Sequence, residues 1–129
     1  MKIIHEMLDQ LNEELEGAKD YAEKYIQCKA KGHNARASTY RQMAMDELTH
    51  AGNIHDFTVQ DIDAIRTVHT LSDECEEKIA HEMKRYAETV ALVKYMVNLK
   101  RGHPLRMSLY FVSHGVSHRK KFYKILEDF

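Results

Sequence analysis

MAMDELTHAGNI, residues 43–54, places a carboxylate and an imidazole three positions apart, Glu47 and His50. On a helix the two side chains leave the same face about one turn from each other. With about 100° of rotation per residue, the apolar side of the surrounding segment is Tyr40, Met43, Ala44, Ala51, Ile54 and Phe57. Glu47 and His50 fall inside that stripe and not opposite it, so both are expected against other helices. A buried carboxylate beside a buried imidazole is costly unless something pairs with them, and a divalent cation is the simplest partner. The stretch therefore predicts a helix of an all-α bundle with metal ligands turned toward the interior.

Working outward, the pattern repeats. Glu14, Glu47 and His50 recur at one constant offset as Glu82, Gly115 and His118. Each Glu/His position of the first half thus has a counterpart in the second, except that glycine stands where the second Glu-x-x-His would begin.

The single proline, the five glycines and the near absence of apolar/polar alternation make the chain all-helical. A first helix is expected over residues 3–31, with a stripe of Ile4, Met7, Leu8, Leu11, Leu15, Ala18, Ala22 and Tyr25. Glu14 lies within that arc, while Glu13 and Glu16 point away. Lys31-Gly32-His33-Asn34 is a turn in which glycine stops one helix and asparagine can cap the next. The second helix begins near Ala35. Beyond Phe57, the apolar Ile62, Ile65 and Val68 suit either more helix or a partly helical crossover to Leu71.

Ser72-Asp73-Glu74 reads as an N-cap with an acidic first turn. The third helix follows to about Lys100, with a stripe of Cys75, Ile79, Met83, Tyr86, Val90, Val93 and Val97. Glu82 sits at the edge of this stripe, where a long carboxylate can also reach water. Gly102-His103-Pro104 breaks the chain before a fourth helix over residues 105–127, with His118 on one flank of its stripe and His114 further out. Two short turns and one long middle connection describe a four-helix bundle with a crossover between the second and third helices, one domain over residues 1–129. Residues 89–99, TVALVKYMVNL, are apolar nearly all round, with Leu92, Tyr95 and Leu99 off the stripe. Such a helix is covered twice, by the crossover or by a second subunit, and a homodimer is expected through this face.

A net charge of -1 gives no reason to expect nucleic acid or an anionic membrane as partner. Cys28 and Cys75 share no Cys-x-x-Cys spacing and fall near apolar stripes, as buried thiols of a reducing cytoplasm would. No signal-like N-terminus and no long apolar run are present, so a cytoplasmic protein is expected.

With Glu14 in LNEELEGAKDY, Glu47 and His50 in DELTH, Glu82 in AHEMKRY and His118 in HGVSH, the chain resembles the ferritin-like superfamily, in particular its small bacterioferritin- and rubrerythrin-like bundles. The resemblance implies a di-iron carboxylate centre, with Glu14 and Glu82 as terminal ligands, His50 and His118 as imidazoles and Glu47 as a bridge. It further implies oxidation of ferrous iron, or reduction of oxygen or peroxide, with manganese or zinc as other ions for such a site. The second bridge would stand at position 115, where this chain has Gly115. His114, next to it, is an outside candidate to fill the gap. With three carboxylates in place of four, a second divalent ion would be the weaker one. The other reading from the same residues is a bundle that has lost its chemistry and serves as a structural or interaction module.

Overall fold

A computed structural model describes residues 1–99 of the chain, which form three helices: α1 (Lys2–Ala30), α2 (Asn34–Val68) and α3 (Asp73–Val97). The chain turns from α1 into α2 through a glycine-terminated cap. Gly32 takes φ +76°, and its N–H and that of His33 donate to the carbonyls of Lys29 and Cys28. Such left-handed closure satisfies carbonyls that a helix end leaves without partners, and only glycine adopts it freely. His33, not Asn34, occupies the N-cap of α2. At α3 the cap is as the sequence indicates: the Ser72 hydroxyl accepts from the Cys75 N–H, and Asp73, Glu74 and Glu76 lie in the first turn.

The expected four-helix bundle with a long crossover is corrected here. The described residues form three helices, and the segment assigned to the crossover is helix as far as Val68. No glycine or proline interrupts residues 53–68, and Ile54, Thr58, Ile62 and Ile65 keep a buried or half-buried stripe at helical spacing. Only residues 69–72 remain to connect α2 with α3, so α3 starts at the end where α2 finishes. Arg66 holds this corner, with its guanidinium on Glu76 (2.6 and 3.0 Å) and on Asp63 (3.2 Å). The expected fourth helix, with His114, Gly115 and His118, lies outside the described residues.

The order of the core follows the up-down-up course of the chain. At one end Ile4 and Leu8 of α1 pack with Ile62 of α2 and with Cys75 and Ile79 of α3. Leu11, Leu15 and Ala51 form the middle. At the other end Ala18, Ala22 and Ile26 meet Ala37, Ala44 and Leu48, together with Val93, Met96 and Val97. α1 and α3 are therefore parallel, and α2 is antiparallel to both. Polar pairs keep the same register: Lys78 lies 3.8 Å from Asp9, and Arg85 donates to Glu16 at 2.7 Å.

Three further expectations change. Phe57 belongs to the solvent side of α2, 67% exposed, because the buried stripe passes through Thr58 and Ile62. Leu92 and Leu99 are buried in the core and not left off it. Glu82, assigned to the edge of its stripe, is only 7% exposed. Cys28 and Cys75 are free thiols near opposite ends of the helices. No helix among the described residues is long and apolar enough to cross a membrane.

Candidate metal centre

α1 and α2 meet through small residues, and that decides what their polar side chains can do. Ala18, Ala22, Ala44 and Ala51 are fully buried along this interface, so the two backbones come close. Within it, Gly17 faces Glu47. A Cβ added at Gly17 would stand 3.3 Å from Glu47 Oε2 and 3.6 Å from its Cδ. Glycine inside a helix costs about 1 kcal/mol relative to alanine, and here it leaves room for a carboxylate.

One turn back along α1 is Glu14, and one turn on along α2 is His50, so antiparallel packing sets them against each other. His50 Nδ1 lies 3.9 Å from Glu14 Oε2. One ligand atom from each of Glu14, Glu47 and His50 falls within 4.8 Å of the other two, and this is the only such group of three or more His, Cys, Asp or Glu among the described residues. The cluster is shallower than the sequence suggests. Glu14 and Glu47 are half-buried, and the His50 side chain is 61% exposed at the rim. The group therefore lies at the edge of the α1–α2 seam and not in the interior.

The electrostatics are those of a site short of a positive charge. Glu14 Oε2 is buried with no hydrogen-bond donor on it. The Glu47 carboxyl is held above its ordinary 4.5, first by a hydrogen bond with Glu14, then by burial and by the like charge of Glu14, with His50 acting in the opposite sense. Two ionised carboxylates are both acceptors, so that hydrogen bond exists only while one of them keeps a proton. A cation between the oxygens does the same work without the proton. Two carboxylates balance the charge of one divalent ion, and the imidazole adds a nitrogen donor suited to iron, manganese or zinc.

Of the other expected ligands, Glu82 is not brought into this group. It lies at the level of Glu14, as the Arg85–Glu16 and Lys78–Asp9 pairs fix the α1–α3 register. Its Oε2 is also buried without a partner. His118 and His114 lie outside the described residues. Tyr86 is half-buried and stacks on His55, with ring centroids 4.0 Å apart at 13°. Its phenol is pushed up, mainly by burial and further by Asp56. His55, read from the sequence as a surface residue, is thus part of the α2–α3 packing.

Sequence reasoning missed Gly17. The signal available was a glycine one turn after Glu14 inside an otherwise unbroken helix. It also missed Lys19 and Glu23, charged residues of α1 that are almost completely buried. Glu16 anchors this side, at 2.7 Å from Arg85 and 3.5 Å from Lys19. Comparison with protein-family models, with curated proteins and with solved structures finds no match for this chain. The resemblance drawn from the sequence therefore has the Glu and His spacing alone behind it.

Proposed function

We propose that the protein binds one divalent transition-metal ion between α1 and α2 through Glu14, Glu47 and His50. The observation that carries this reading is the convergence of three ligand atoms within 4.8 Å from two helices. The buried Glu14 oxygen that accepts no hydrogen bond and the bare backbone at Gly17 favour the same reading. Glu14 and Glu47 supply the charge balance, and His50 supplies the softer donor that sets transition ions above calcium or magnesium. Iron is the ion we propose first. A bound iron would supply one-electron chemistry toward oxygen or peroxide, and the exposed rim at His50 is the side from which small molecules would reach it.

Anaerobic dialysis of the metal-free protein against ferrous iron tests the reading. One ion per chain is expected. Glu47→Ala should lose it while the far-ultraviolet circular dichroism stays helical. A stoichiometric ion retained in that variant removes Glu47 from the site. No ion in the wild type would leave the structural reading of these helices standing.

A further inference from the structure

We infer that Gly17 is the positioning residue of this centre: its missing side chain seats the Glu47 carboxylate against α1 and keeps the volume between the ligand atoms open. The inference rests on the metal-binding reading above and adds to it the residue that makes the arrangement possible. A Cβ at position 17 would stand 3.3 Å from Glu47 Oε2, 3.6 Å from Cδ and 3.9 Å from Cγ, so the whole end of the Glu47 side chain lies over the bare backbone. At 3.3 Å, tighter than most real Cβ contacts, the carboxylate must give way by a few tenths of an ångström.

A longer side chain would do more. Helical side chains lean toward the N-terminus of their helix and cover the preceding turn. From position 17 that turn is the one carrying Glu14, so the added atoms would extend into the space that Glu14, Glu47 and His50 surround.

Backbone freedom does not explain this glycine. Among the described residues the positive-φ glycine is Gly32, and Gly17 sits in regular helix. Gly52, the other helical glycine, differs as well: a Cβ there would meet only the Tyr86 hydroxyl at an ordinary 3.7 Å. What position 17 contributes is the empty space.

The test uses the full chain with cobalt(II) as probe, reading affinity and the visible absorption of the bound ion in wild type, Gly17→Ala and Gly17→Leu. Gly17→Ala should keep or raise the melting temperature of the metal-free protein, since alanine favours helix. It should also weaken cobalt binding several-fold and alter its spectrum. Gly17→Leu should weaken binding at least tenfold with helical content retained; if it does not fold, Gly17→Ala still decides. Wild-type affinity and spectrum in the variants that fold would overturn the inference. If Glu47→Ala abolishes binding in that same experiment, the metal reading survives and only the role of Gly17 falls. A wild type that takes up no cobalt overturns both.

Discussion

Glu47 makes opposite demands with and without a cation. Without one, its carboxyl is held up by Glu14, so ionising it costs more in the folded chain than in the unfolded one. The stability tied to its neutral form is fully present below the unfolded value and is lost as pH rises through the raised folded one. Glu47→Gln should therefore melt higher than wild type at pH 7 when both are metal-free, and show no such gain below pH 4.5, which paired thermal melts would reveal. The same variant should bind metal far more weakly, because an amide leaves one charge of the ion unbalanced. A lower melting temperature for Glu47→Gln at pH 7 would mean that the two carboxylates do not oppose each other.

Among the helices, α1 was the most legible from sequence and α2 the least. Every residue of the α1 stripe is buried or half-buried, because large aliphatic side chains recur every three or four positions. α2 buries Ala37, Ala44, Ala51 and Thr58, whose small or polar side chains barely register as a stripe, while its exposed Phe57 registers strongly. That mismatch explains why Phe57 was placed on the core face, although Tyr40, Met43, Ala44, Ala51 and Ile54 of the same stripe are buried or half-buried, and why the run beyond it stayed open between helix and crossover. It also predicts a contrast: Phe57→Ser should change stability by less than about 0.5 kcal/mol, and Ile62→Ala should cost roughly 2–5 kcal/mol. Urea denaturation of the two variants measures it. Between α1 and α3, burial raises the Glu16 carboxyl, but Lys19 and Arg85 together bring it below 4.5. Its contribution is present above the unfolded value and lost as pH falls through the depressed one. Partly exposed as it is, Glu16→Gln should cost about 0.5–1 kcal/mol at pH 7 and nothing once the carboxyl is protonated, a difference that chemical melts at the two pH values resolve.

For the whole molecule, the ligands matter because they come from two helices. Helical spacing put Glu47 and His50 on one face whatever the tertiary fold, while Glu14 was singled out by its place in the α1 stripe and by the repeat at a constant offset. The depth of the cluster and the role of Gly17 depend on how closely α1 approaches α2, which no periodicity encodes. The connectivity was hidden for a similar reason: apolar residues 62, 65 and 68 suit helix and crossover alike. An ion on Glu14, Glu47 and His50 would join α1 to α2 across their seam. Ligand at about a hundred times its dissociation constant should then stabilise the fold by about 2.7 kcal/mol, seen as a melting temperature that climbs with metal concentration. The measurement closest to the claim of a Glu14–Glu47–His50 centre is X-ray absorption at the iron edge of protein loaded anaerobically with one equivalent of ferrous iron. We predict a shell of carboxylate oxygens with one imidazole, whose scattering disappears in His50→Ala. An imidazole signal unchanged in His50→Ala, or iron surrounded by water alone, would contradict it.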